Sequence, residues 1–207
     1  MSTSNISNFI VAMTLAIFSI PNHANADERV YIYKDDGYSS NKGVWGNIMP
    51  AAAAEVGSAS FNSSSPKGFD GKGTAVKVSF NLSTPPNWAG VVVPVQADYW
   101  GETDAKGLDL SKANKLVFYA KGEKGGEQIQ VKAAIVSDKK FGDSAIVPIV
   151  SPWYTLEKNW KRYEITIEDT KDNLQRVITP FSVISNKPHN DKVNVIDFYV
   201  DEIYYEQ

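Results

Sequence analysis

Three aromatic groups in this chain stand beside polar side chains. They are Asn87-Trp88, the run from Gln96 to Glu102 with Asp98, Tyr99 and Trp100 inside it, and Trp153-Tyr154 with Asp143 and Ser151 upstream. Flat rings next to amides, carboxylates and hydroxyls suit sugars, whose C–H faces are apolar and whose hydroxyl edges need hydrogen bonds. A further polar row comes from Gln128, Gln130 and Lys132, which alternate with Ile129, Val131 and Ala133 and could line a concave sheet. The ligand-binding candidates are therefore Trp88, Gln96, Tyr99, Trp100, Glu102, Gln130, Lys132, Trp153 and Tyr154. In the competing reading these rings cap the edges of a hydrophobic core, and for Trp100, Trp153 and Tyr154 the two readings balance.

Catalytic constellations are weak by comparison. His189 sits in a polar Lys187-Pro-His-Asn-Asp191 stretch and reads as a loop histidine. A Ser–His–Asp triad needs a positioned serine, and no Gly-x-Ser-x-Gly elbow exists here. His-Glu-x-x-His is also missing, and the lack of cysteine removes thiolate zinc sites, Fe–S clusters and a Cys nucleophile. Glycoside hydrolysis needs two carboxylates across a sugar cleft, but with 24 acidic residues some pair is always available, so their presence decides nothing. An enzyme is not expected.

The bulk properties fit a binding domain. The chain has 207 residues and a net charge of −3, with Lys and Arg scattered. No basic stripe is available to track a nucleic-acid backbone, so none is expected as a partner. The N-terminus reads as a signal peptide over residues 1–26: a polar start, an apolar run from Phe9 to Ile20, Pro21, and the small-residue site Ala24-Asn25-Ala26. No Lys or Arg precedes that apolar run, which is too short to span a bilayer comfortably. The mature chain, 27–207, is expected as one domain, secreted or periplasmic, without a transmembrane segment.

The elements that must position the candidates are strands. Period-two alternation marks Ala75 to Phe80, Leu116 to Lys121, Gln128 to Ala133 and Lys161 to Ile167. Other expected strands are Val30 to Tyr33, Trp88 to Val95, Val177 to Ile184 and Val195 to Tyr205. Glycine-rich turns at Gly68 to Gly73 and Gly122 to Gly126 separate them, and Ser58 to Ser65 reads as a loop with a short strand. Pro50 to Val56, with its four alanines, is the one helix-friendly turn. In the last strand Phe198 and Val200 share one parity while Ile203 and Tyr205 have the other. An extra residue near Asp201-Glu202, a β-bulge, would let all four face one core. The pattern predicts an all-β sandwich of two antiparallel sheets.

The segment Lys115-Leu-Val-Phe-Tyr-Ala-Lys-Gly-Glu-Lys-Gly-Gly-Glu127, following Gly107-Leu-Asp-Leu-Ser111, resembles secreted carbohydrate-binding-module-like domains with the galactose-binding-like jelly-roll fold. Trp88-Ala-Gly-Val, Tyr99-Trp-Gly101, Leu156 to Tyr163 and Phe198 to Glu206 resemble the same pattern. The resemblance implies a jelly-roll fold and a non-catalytic glycan-binding role. Trp88 and Trp160 fall in its recurrent pattern, which leans both toward the core, and Trp45 leans the same way. Domains of this resemblance commonly hold one structural Ca²⁺, and the matching positions are Asp35, Asp36, Asp70 and Asp201. Two other readings stay open: an exported structural or adhesive β-domain that binds protein or envelope, and a small jelly-roll polysaccharide lyase or hydrolase.

Overall fold

The computed structural model describes residues 29–55, 58–167 and 173–207. The expected signal peptide lies outside the described residues. The strands are β1 (Arg29–Tyr33), β2 (Asn47–Met49), β3 (Ala59–Pro66), β4 (Thr74–Asn81), β5 (Trp88–Val93), β6 (Lys115–Gly122), β7 (Gln128–Ala133), β8 (Ile149–Thr155), β9 (Lys161–Thr166), β10 (Phe181–Asn186) and β11 (Val195–Glu206). One short helix, α1 (Ala51–Glu55), occupies the alanine run. No helix among the described residues is long and apolar enough to cross a membrane.

The strands form two antiparallel sheets. Sheet A runs β3-β4-β11-β6-β9, with β1 also paired to β11, and sheet B runs β2-β5-β10-β7-β8. Between them lies one continuous apolar core in which Phe80, Phe118, Phe181 and Phe198 are fully buried. This is the two-sheet antiparallel sandwich that the alternation anticipates, in the jelly-roll form that the resemblance implies.

The parity break in β11 is a bulge. Asp201 pairs with Tyr119 and Tyr204 with Val117, so three steps on β11 match two on β6. Glu202 takes a left-handed φ of 46°, and Phe198, Val200, Ile203 and Tyr205 all enter the core. The bulge has a topological setting as well. β11 pairs β4 through Val195–Val200 and β1 through Ile203–Glu206, so the extra residue sits where the neighbour changes.

Edge strands account for the differences from the expected elements. β2 and β8 close the two edges of sheet B, and β3 closes one edge of sheet A. Pro152 inside β8 is tolerated because an edge strand need not donate on its outer side. The Ser-rich segment is a full strand, since an edge facing water accepts polar side chains. β5 stops at Val93, before Pro94, which has no N–H to give. β10 starts only at Phe181. Upstream, the amides of Ile178 and Thr179 donate to the Asp143 carboxylate and Val177 makes an isolated bridge to Leu108.

Candidate functional site: the outer face of sheet B

Parity decides what this face presents. β5 sends Ala89, Val91 and Val93 inward, so Trp88, Gly90 and Val92 point out. In the same way β10 presents Ile184 and Asn186, and β7 presents Gln128, Gln130 and Lys132. β8 needs a bulge to join them. Gln130 pairs with Trp153 and Lys132 with Val150, so three steps on β8 oppose two on β7. That extra residue brings both Val150 and Trp153 to the outer face. The amide it would strand, Val131 N–H, donates to Ser151 Oγ at 2.9 Å, and Gln130 Nε2 donates to the Ser151 carbonyl.

Trp88 is 36% exposed, which corrects the expectation of a core residue. It opens β5 at the sheet's end, where no loop covers it. A shallow groove of about 240 Å³ runs beside it, lined by Lys132, Ile184, Ser185 and Asn186. Trp153 lies three strands away, roughly 14 Å at the usual interstrand spacing. Its ring is half-buried and stacks on His189, with centroids 3.6 Å apart and planes 12° from parallel.

His189 is held from below. Asn186 Oδ1 accepts the His189 backbone N–H at 3.1 Å and lies 2.8 Å from its Nδ1. A carbonyl oxygen can only accept, so Nδ1 carries a proton in this contact. The 3-10 turn Pro188–Asn190 that carries the ring is pinned by buried Asn190, whose Nδ2 donates to Gln128 O and Ser185 Oγ. Asn190 Oδ1 in turn accepts the Gln128 N–H. Behind the turn, Lys187 Nζ ties Asp191 O, Val193 O and Asn194 Oδ1 together. Next to His189 opens a cleft of about 390 Å³ between this turn and the β6–β7 loop, with Lys124, Gln128, Asp191 and Lys192 on its walls. The loop is shaped by buried Glu127, which accepts the Lys124 N–H and fits only because Gly122 has no Cβ.

The remaining candidates lie elsewhere. Tyr154 follows Trp153 and so points inward, packing on Phe118 and Tyr163 and donating its hydroxyl to Glu164 O. Gln96, Tyr99, Trp100 and Glu102 sit beyond the far end of β5 from Trp88. Tyr99 is buried; its hydroxyl donates to the carbonyls of Thr103 and Phe141 and meets the Arg176 guanidinium. Trp100 packs half-buried on the small cluster of Tyr99, Val136 and Ile178. The Glu102 carboxylate accepts the Trp100 N–H within one turn. These residues clamp two loops together, while Gln96 is exposed on its own. Trp45 packs on the core as expected, whereas Trp160 lies half-exposed on the outer face of sheet A beside Lys121 and Tyr199. His189, which reads from the sequence as a loop histidine, does sit in a turn between strands, and its stack on Trp153 has no local sequence signal.

The four acids split in two. Asp70 Oδ1 accepts the Lys72 N–H within its own turn, and exposed Asp36 accepts the Ser64 hydroxyl, tying the segment after β1 to β3. Asp35 and Asp201 converge. Asp35 Oδ1 accepts the Thr74 N–H, and Asp201 accepts the amides of Phe69 and Glu202. Burial pushes the Asp201 carboxyl up to about 7, against those two hydrogen bonds and with help from the nearby charges of Glu202 and Asp35. Among the described residues no three acidic or histidine side chains gather as metal ligands. A Cβ on Gly68 would lie 2.6 Å from Lys72 O, 2.7 Å from Asp201 Oδ2 and 3.2 Å from Thr74 O. These carbonyl and carboxylate oxygens crowd Gly68 beside the buried acid and leave that position no room for a side chain.

No protein-family model matches the chain, and no curated protein matches its sequence. Solved structures do resemble it in fold. A family 30 carbohydrate-binding module aligns at 14% identity over 86% of this chain and 87% of its own, with a TM-score of 0.56. The family 11 module from Clostridium thermocellum, solved with a β-1,3-1,4-mixed-linked tetrasaccharide, aligns at 19% identity over 84% of this chain and 94% of its own, with a TM-score of 0.51. A family 29 module complexed with mannohexaose aligns at 7% identity over 86% of this chain and 91% of its own, with a TM-score of 0.50. These likenesses are likenesses of architecture, the two-sheet antiparallel jelly roll.

Proposed function

We propose that this protein is an exported, non-catalytic glycan-binding module whose binding surface is the outer face of sheet B. The observation that carries the reading is a pair of indoles on one sheet face about 14 Å apart, Trp88 exposed and Trp153 half-buried with one face on His189. Each ring can stack on the C–H face of a pyranose, and Gln130, Lys132, Asn186 and His189 lie nearby to meet hydroxyls. The sugar-bound modules of the same architecture support the reading by analogy of fold. Catalysis is disfavoured because the five strands of sheet B contain no Asp or Glu, whereas glycosidic cleavage needs two carboxylates about the bond.

A structural Ca²⁺ held by Asp35, Asp201 and the carbonyls of Lys72 and Thr74 belongs to the same reading. Its part would be to neutralise a buried carboxylate and fix the β3–β4 loop against the β11 bulge. Saturation at a hundred times its dissociation constant adds about 2.7 kcal/mol to stability, so a melt with chelator against one with CaCl₂ should separate clearly.

Affinity electrophoresis through gels containing a panel of plant, algal and bacterial polysaccharides tests the binding role. Retardation by at least one of them is expected. Passage through all of them unretarded would contradict the reading, and release of unsaturated or reducing ends would replace it with an enzyme.

A further inference from the structure

Sheet B is nearly devoid of charge, and the charge that remains has one sign. Its strands read Asn-Ile-Met, Trp-Ala-Gly-Val-Val-Val, Phe-Ser-Val-Ile-Ser-Asn, Gln-Ile-Gln-Val-Lys-Ala and Ile-Val-Ser-Pro-Trp-Tyr-Thr, so Lys132 is the one ionisable acid or base among them apart from Tyr154, which points inward. Lys132 stands on the outer face in the same groove as Trp88. The cleft beyond the other end of β7 adds Lys124 and Lys192. Among the described residues none of these three lysines has an ion-pair partner. Of the two acids beside the cleft, Glu127 is buried against Gly122, which leaves Asp191 as the exposed one. The cations of sheet A are arranged differently. Lys77, Lys115, Lys161 and Arg162, with Lys34 just past β1, each face a carboxylate of the protein itself, while Arg29 and Lys121 lie over aromatic rings.

An unpaired Lys132 in a groove without a carboxylate, and two more lysines at a cleft whose one exposed acid is Asp191, favour a ligand that brings its own carboxylates. We propose that the glycan is acidic: a uronate-containing polysaccharide, with Trp88 stacking on a pyranose ring and Lys132 taking the carboxylate of that ring or its neighbour. The inference rests on the outer face of sheet B being the glycan site. Lys132 lies four residues along β7 from Gln128 at the cleft mouth, roughly 13 Å at the usual strand rise. Charges that sparse suit a chain carrying at most one carboxylate per sugar, met at every second or third residue, and not the dense charge of a sulfated chain. Gln130, Asn186 and Ile184 between them leave room for uncharged hydroxyls and ring faces.

The test uses the mature protein in affinity electrophoresis and calorimetry against polygalacturonate, alginate, dextran sulfate, hydroxyethylcellulose and galactomannan. Tightest binding is expected to polygalacturonate or alginate, weakening about tenfold when salt rises from 20 to 300 mM, because screening shortens the reach of the lysines. Lys132→Ala should weaken it about fivefold or more, Lys132→Arg should retain most of it, and both should leave the melting temperature unchanged. Binding of the neutral glycans as tightly as the uronates, with no effect of Lys132→Ala, would overturn the acidic ligand and leave the glycan face standing. Retardation by dextran sulfate alone would overturn it too. Failure to bind any of the five, alongside failure across the wider panel, would remove the glycan face itself.

Discussion

The two outer faces of the sandwich share one strand geometry and differ in what their side chains bind. On sheet A the rings and charges are occupied by one another. Phe69 lies on Tyr119 at 3.7 Å, and Lys121 sits over both Trp160 and Tyr199 at 5.1 and 4.8 Å. Arg162 pairs with Glu164 and Glu206, and Lys77 with Glu123 and Asp197. On sheet B, Trp88 has no ring or cation partner among the described residues, Trp153 has one face on His189, and Lys132 has no carboxylate. A face whose polar groups are satisfied internally holds the fold. A face whose groups are left unsatisfied is available to a ligand. Aromatic content alone does not distinguish them, since sheet A carries more rings.

The contrast predicts that changes near sheet A act on stability and changes on sheet B act on binding. The largest effect should come from Asp201, under the β11 bulge. Its folded pKa of about 7 lies above the ordinary carboxylate value near 3.9, so between those two values the folded state holds a proton more tightly than the unfolded one. In chelator, the Asp201 contribution to stability is therefore greatest below about pH 4, falls as pH rises through the window and levels off above about pH 7. The total loss is at most about 4 kcal/mol. Saturating CaCl₂ should flatten that slope, as denaturant melts at pH 5 and pH 8 would show. An equal slope with and without Ca²⁺ would detach the ion from Asp201.

Next in size is Trp153→Ala. It should weaken glycan affinity by about 2 kcal/mol, some thirtyfold, with little change in the melt, while Trp160→Ala on sheet A leaves affinity as it was. Calorimetry on the two variants reads this directly, and the reverse pattern would exchange the roles of the faces. The smallest effect separates two adjacent residues. Tyr154→Phe removes the hydroxyl that donates to Glu164 O and should cost about 1 kcal/mol of stability without changing affinity. Lost affinity in that variant would mean Tyr154 reaches the ligand.

How much of this was legible beforehand follows from how local each signal is. Alternation located β4, β6, β7 and β9, because each keeps one face in the core without interruption. The β11 bulge was legible from a single parity break, since a shift of one residue flips every side chain after it. β8 was hidden because its own bulge and Pro152 erase the alternation, and β3 because serine on an edge strand imitates a loop. The facing of Trp88 depends on whether a loop covers the end of β5, and nothing in the neighbouring residues states that. The Trp153–His189 stack joins two positions through the Asn190 anchor, so neither local pattern announces it. Tyr99 carries the same lesson in reverse. It looked like a loop aromatic, and the Arg176 guanidinium and Phe141 carbonyl that bury it come from distant loops.

The most direct test of the glycan face uses the five tryptophans as reporters. Indole N–H resonances, assigned by single Trp→Phe substitutions, would be followed while polygalacturonate oligomers are titrated in, with neutral gluco- and mannooligosaccharides in parallel. The signals of Trp88 and Trp153 should move together and saturate, while those of Trp45, Trp100 and Trp160 stay in place. Movement of Trp160 with Trp88 and Trp153 unchanged would put the ligand on sheet A and contradict the assignment of the faces.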